Sequence, residues 1–308
     1  MKPILFFLLL TTNGFSQKLL LTERADPAKL EATVRFLADT IGGRSYQQKA
    51  SLTRASEYIQ KKFTECGLEV QLQKYSVNGE EYENVYAELA GETDSVFIIG
   101  GHYDTYSDLP GADDNASGVA GLIETARLVT SQNRKPFYTL VFVAFTLEEP
   151  PFFRTENMGS YRFAEWIASS RRYIAGMTSI EMIGYFSDKK IQEYPSSIFK
   201  FFYPSEGNFI ASVSNFSSSG LADEYQDHTE LLGEIPCSQL AAPSAVQGVD
   251  FSDHMNFWRF GIDAFMITDT AFLRNRNYHT RNDRSDNLDY QRMSFVVNAL
   301  ANMAMGEF

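Results

Sequence analysis

Val96-Phe97-Ile98-Ile99-Gly100-Gly101-His102-Tyr103-Asp104-Thr105 begins with a run of apolar residues and ends in polar ones. An unbroken apolar run of strand length describes a strand covered on both faces, since a strand with one wet face would alternate. The same reading extends downstream. A helix is expected over residues 117–129, where Val119, Leu122, Ile123 and Ala126 share one face. Residues 140–145 make a second covered strand, 178–183 a third and 264–268 a fourth. An amphipathic helix on Met293, Val296, Val297 and Leu300 closes the chain. Covered strands alternating with helices predict an α/β fold with a mainly parallel central sheet.

Upstream, Asp26 suits the cap of a helix that Pro27 begins, with Leu30, Val34, Leu37 and Ile41 along one face. A second helix over residues 50–66 stops at Gly67. Residues 68–75 and 83–88 read as a hairpin about Asn78-Gly79. Residues 187–247 are less regular, rich in Ser, Phe and Pro, and read as excursions over the sheet.

The 308 residues, 44% hydrophobic and 21% charged, suit one large globular domain. A net charge of -12 with no basic run argues against nucleic acid as a partner. Lys2, the short apolar run from Ile4 to Leu10, and the small residues Gly14 and Ser16 have the pattern of a cleaved signal peptide over residues 1–16. That predicts an exported protein, periplasmic or secreted, with its domain over residues 17–308. The apolar run is shorter than the roughly 20 residues a spanning helix needs, so no membrane span is expected. Cys66 follows Leu52, Ala55, Ile59 and Phe63 on one helical face and reads as a buried thiol. Its pairing with Cys237 stays open, as does the oligomeric state.

In open α/β sheets, ligands gather beyond the carboxyl ends of the strands. The first covered strand exits into His102-Tyr103-Asp104, followed by the loop Gly111-Ala112-Asp113-Asp114-Asn115-Ala116-Ser117-Gly118. The second exits into Glu148-Glu149-Pro150, the third carries Glu181, and a late loop holds Tyr278-His279-Thr280 and Asp283. Singly, a His-x-Asp is commonly a surface pair, an Asp-Asp-Asn a turn, and a Glu-Glu solvated charge. Together they differ. Carboxylates at one sheet edge repel one another unless cations neutralise them, and imidazole with carboxylate is a ligand set that zinc accepts.

These motifs, with Met158-Gly159-Ser160, Glu181-Met182-Ile183-Gly184 and Ser252-Asp253-His254 in the same order, resemble the M28 family of zinc aminopeptidases. The resemblance implies a three-layer α/β/α sandwich with a mixed, mainly parallel central sheet. It implies two zinc ions and a peptide substrate with a free N-terminus. His102 and Glu181 would bind one ion, Glu149 and His279 the other, and Asp113 would bridge both. Asp104 would hold the second ring nitrogen of His102. Glu148 would be the general base, and Tyr278 would help hold the oxyanion. Asp253 and Asp283 would support the ligands through the surrounding polar network. A cis peptide bond is expected after the bridging residue, between Asp113 and Asp114. His254 reads as structural and His228 as a solvated loop residue. The aromatic groups Phe152-Phe153 and Phe199 to Tyr203 read mostly as core packing, with a pocket for an apolar first residue as the alternative. One position departs from the family, which usually has Asp where Glu181 stands. The extra methylene carries its oxygens about 1.5 Å further unless backbone or rotamer adjusts.

Two rival readings remain. A glutaminyl-cyclase-like enzyme shares this fold and most ligand positions, but uses one zinc to cyclise an N-terminal glutamine; the Asp-Asp-Asn-Ala-Ser-Gly run is more peptidase-like. A receptor-type domain that kept the fold and lost catalysis should lack ligands or carry a membrane span, and this sequence does neither.

Overall fold

The computed structural model describes residues 20–308, so the expected signal peptide lies outside the described residues. Among the described residues, eight strands form one sheet in the order β1 (Val70–Val77), β2 (Glu80–Leu89), β4 (Thr139–Phe145), β3 (Val96–His102), β5 (Ile174–Glu181), β8 (Ala264–Thr268), β6 (Ile210–Ser214) and β7 (Cys237–Ala241). The middle of the sheet, β4, β3, β5 and β8, is parallel. β1 and β2 add an antiparallel hairpin on one side, and β6 runs antiparallel to β8 on the other.

Helices α1 (Pro27–Arg35), α2 (Lys49–Glu65), α3 (Gly118–Thr130), α5 (Ser219–Leu232) and α7 (Tyr290–Ala304) cover one face. α4 (Gly159–Ala168) and α6 (His254–Trp258) cover the other, which gives the three-layer α/β/α sandwich. The strand period of two feeds both layers. Phe97, Ile99, Leu140 and Phe142 point to the thicker layer, while Val96, Ile98, Val141 and Val143 point to Phe163, Ile167 and Phe257 in the thinner one. Burying each large apolar side chain contributes about 1.5–3 kcal/mol. At the start of α1, Asp26 accepts from the Ala28 amide and Pro27 opens the first turn.

Sequence periodicity misses one region. Residues 187–247 contain β6, α5 and β7, which complete the sheet. β6 is Ile-Ala-Ser-Val-Ser, with Ser212 and Ser214 fully buried, and the buried face of α5 is Ala222, Tyr225, His228 and Thr229. Neither shows a strong apolar period. His228 is therefore not a solvated loop residue: it is 3% exposed on α5, with Nδ1 2.8 Å from the Glu224 carbonyl. Both cysteines are free. No described helix is long and apolar enough to cross a membrane.

The connections fix where a ligand can sit. The chain leaves β3 through α3 to β4 on one side, then returns through α4 to β5 on the other. The strand order thus reverses at β3, and the crevice opens beyond the carboxyl ends of β3 and β5. His102 and Glu181 are the last residues of those two strands.

Candidate metal centre

Parallel neighbours deliver His102 and Glu181 side by side, with Nε2 of His102 3.2 Å from Oε2 of Glu181. The approach demands a glycine. A Cβ on Gly101 would sit 2.8 Å from the Ile180 carbonyl oxygen. Asn115 then ties the loop before α3 to the end of β5. Its Nδ2 donates to Ile180 O at 2.9 Å, and its Oδ1 accepts from the amides of Gly118 and Met182 at 3.1 and 3.0 Å. This staple places Asp114 between two histidines: Oδ1 is 3.4 Å from His102 Nε2, and Oδ2 is 3.0 Å from His279 Nε2. Glu149 Oε1 lies 3.3 Å from the same His279 nitrogen. Two clusters result, His102–Asp114–Glu181 and Asp114–Glu149–His279, and within each the ligand atoms lie within 4.8 Å of one another.

Asp113, expected to bridge, belongs to neither cluster. Its Oδ1 accepts from the Gly184 amide at 3.0 Å and its Oδ2 from Asn275 Nδ2 at 2.8 Å, which turns it away from both clusters. Asp114 is the aspartate common to both clusters, and the cis peptide bond follows it, lying between Asp114 and Asn115 and not between Asp113 and Asp114. Two adjacent aspartates look alike in sequence. Distant partners decide which one faces the cleft: Gly184 and Asn275 hold the Asp113 carboxylate, and Asp283 accepts from the amides of Asp113 and Asp114 at 2.9 and 3.1 Å.

Asp104 lies behind both the histidine and the glutamates. Its Oδ1 is 3.5 Å from His102 Nδ1, and its two oxygens accept from the amides of Glu148 and Glu149, each at 3.1 Å. Leu147, with φ +60°, turns the chain at the end of β4. Glu149 then enters a ligand cluster while Glu148 stays out of both. The longer Glu181 is held by Ser252, whose hydroxyl donates to Oε2 at 2.8 Å and sits 3.0 Å from Ser179 Oγ. Asp253 is fully buried with neither carboxylate oxygen hydrogen-bonded, and burial pushes it up to about 7. His254 sits behind, Nε2 2.8 Å from the Val249 carbonyl, and burial pulls it down to about 4, so it stays neutral.

Arg44 carries no signal in the sequence. It is fully buried, and its guanidinium donates to the carbonyls of Leu37, Gly42, Tyr103, Pro110 and Gly111 at 2.8–3.0 Å. It thereby pins the loop between β3 and the Asp113-Asp114 turn at both ends.

Charge is unevenly shared across the centre. Burial alone would raise the Asp114 carboxyl, but the two imidazoles outweigh it and hold Asp114 below the usual carboxylate range. Burial pushes Glu149 up to about 8, with Asp114 adding to it, and pushes Glu148 and Glu181 up as well. Burial opposes a charge on His279, yet Asp114 and Glu149 push it up to about 10. Although Glu149 Oε1 and His279 Nε2 are close, neither makes a hydrogen bond, and both are buried. Buried polar atoms of this kind need a partner. An N/O donor set of imidazoles and carboxylates around a shared aspartate fits divalent cations such as zinc.

An apolar pocket adjoins Glu181 and Tyr278, walled by Tyr194, Phe199, Tyr203, Phe209, Leu240 and Phe272. Segments that looked irregular in the sequence supply much of this apolar wall.

Residues 84–304 match peptidase family M28. The chain is 40% identical over 285 residues to YfbL of Escherichia coli, covering 90% of this chain and 87% of that one. Its fold is similar to BSAP, a zinc aminopeptidase from Bacillus subtilis, with a TM-score of 0.71 at 12% identity, over 91% of this chain and 94% of the other. It is similar to the same degree to a glutaminyl cyclase of Fimbriiglobus ruber, with a TM-score of 0.71 at 19% identity, over 91% and 95% of the two chains. At such identities the two structural likenesses show the fold alone.

Proposed function

This chain belongs to peptidase family M28, and on that premise we propose that it is a zinc-dependent aminopeptidase working with two ions. The observation that carries the reading is the pair of histidine–carboxylate clusters sharing Asp114, with a separate glutamate, Glu148, beside them. His102, Asp114 and Glu181 would hold one ion, and Asp114, Glu149 and His279 the other. Bound divalent cations supply Lewis-acid polarisation of the scissile carbonyl and lower the pKa of water.

The chain's own groups do the rest. Glu148 takes the proton of the attacking water, whose oxygen bonds to the carbonyl carbon, and delivers a proton to the leaving amine as the C–N bond breaks. Staying outside both ligand sets leaves its carboxylate able to hold that proton. Asp104 fixes the backbone of Glu148 and Glu149 through their amides. Burial and then the nearby carboxylates keep Tyr278 a phenol, so its hydroxyl remains a donor for the developing oxyanion. The cationic α-amine of the substrate meets the acidic cluster, which makes the enzyme an exopeptidase, and the apolar cavity takes a large apolar first side chain. Export to the periplasm or medium, with residues 1–16 removed, is part of this proposal.

Release of nitroaniline from leucyl- and phenylalanyl-p-nitroanilide tests it, with N-acetylated substrates and a glutaminyl peptide alongside. The free-amine substrates should be cleaved and the acetylated ones spared. A strong chelator should abolish release, and zinc should restore it. Cyclisation of the glutaminyl peptide without nitroanilide cleavage would favour the cyclase reading, which has a role for only one of the two clusters.

A further inference from the structure

We infer that Tyr106 is a positioning residue for His279, holding the imidazole plane so that Nε2 aims at an ion shared with Asp114 and Glu149; this rests on the two-ion reading above. The two histidines of the centre are oriented by different means. His102 has Nδ1 facing Asp104, 3.2 Å from its carbonyl and 3.5 Å from its carboxylate, and is 1% exposed. His279 sits on a loop, 23% exposed, with its backbone at φ +54° in the left-handed region. What holds its ring is stacking. Tyr278 lies 3.8 Å away at 15° and Tyr106 lies 4.2 Å away at 7°. Two near-parallel phenol rings that close cannot share one face of an imidazole, so His279 is sandwiched between them.

A metal takes the nitrogen lone pair, which lies in the ring plane, so clamping both faces fixes the direction in which Nε2 points. Tyr278 is tied to its neighbour by the chain itself. Tyr106 arrives from elsewhere, on the loop leaving β3, and its position is set although its side chain is 39% exposed. The Arg44 amide donates to Thr105 Oγ1 at 2.8 Å, and the Arg44 guanidinium holds Tyr103 at one end of the loop and Pro110 and Gly111 at the other. Residues 102–106 thus serve both clusters, through His102 for one, through the Tyr106 ring for the other, and through Asp104, which faces His102 and accepts from the Glu149 amide, for both.

Stepwise zinc titration of the metal-free protein by competition calorimetry, with the cobalt(II) absorption spectrum as a second readout, tests this. Tyr106→Ala and Tyr106→Leu should weaken one of two zinc-binding steps roughly two- to tenfold and leave the other unchanged. They should alter the cobalt spectrum of that step. Tyr106→Phe, which keeps the ring, should restore both. Melting of the metal-free variants should match the wild type, since the side chain is partly exposed. Two unchanged zinc affinities in the Ala and Leu variants, or a Phe variant as weak as they are, would overturn the inference. A wild-type protein that takes up fewer than two ions would instead overturn the two-ion reading, and this inference with it.

Discussion

His102 and His279 face the same carboxylate, Asp114, yet one is 1% exposed at the end of a central strand and the other 23% exposed on a late loop. The first half of the centre is built from the sheet. β3 and β5 set the spacing of His102 and Glu181, Asp104 faces the imidazole, and Ser252 holds the glutamate by hydrogen bonding. The second half is built from loop ends. Glu149 lies past the turn at Leu147, and His279 relies on a left-handed backbone and two stacked rings. A buried, hydrogen-bonded half and a loop-built, stacked half should respond differently to the same kind of damage. Only Asp114 belongs to both.

The largest effect should come from breaking what the halves share. Asp114→Asn should lose both ions, and turnover should drop to the uncatalysed background. Asp113→Asn should keep two ions, because Asp113 faces Gly184 and Asn275 instead of the cleft. Elemental analysis of both variants decides between the neighbours; two ions in Asp114→Asn and none in Asp113→Asn would restore the bridging place to Asp113.

Next in size is Glu148→Gln. It should leave both ions bound and lower turnover about 10²–10⁴-fold, the usual share of general base catalysis. Glu149→Gln should instead lose the His279-side ion and keep the other. Turnover near wild type for Glu148→Gln would remove it as the base, whatever the metal content.

Smaller effects separate the two halves. Asp104→Asn should weaken the His102-side ion about 10–100-fold, as loss of a ligand's supporting partner generally does. Ser252→Ala should weaken the same ion about tenfold, the low end of what losing one hydrogen bond to a charged oxygen costs. Ser252→Ala should not shift the affinity of the His279-side ion, whereas Asp104→Asn also loosens the Glu149 backbone; a zinc titration of Ser252→Ala that shows both steps weakened equally would erase the distinction between the halves.

Legibility in the sequence follows the same division. Strands covered on both faces announce themselves as apolar runs, so β3, β4 and β8 and the residues at their ends were readable. His102, Glu149, Glu181 and His279 could be named from the sequence, and the structure brings them together. The choice between Asp113 and Asp114 was not readable, because it depends on the Gly184 amide and Asn275 far along the chain. Arg44 and Tyr106 left no mark for a related reason: one gains its meaning from backbone carbonyls and the other from a ring, and neither kind of partner has a sequence signature. The strands β6 and β7 at one end of the sheet were hidden by buried serines and by half-buried residues with no clear alternation.

Adding zinc stepwise to the metal-free protein while following phenylalanyl-p-nitroanilide cleavage puts both halves to work at once. Activity should be absent at the start and should rise to a plateau at two equivalents of zinc per chain. Full cleavage with no metal present, or a plateau at one equivalent, would contradict a centre in which Asp114 joins two ions.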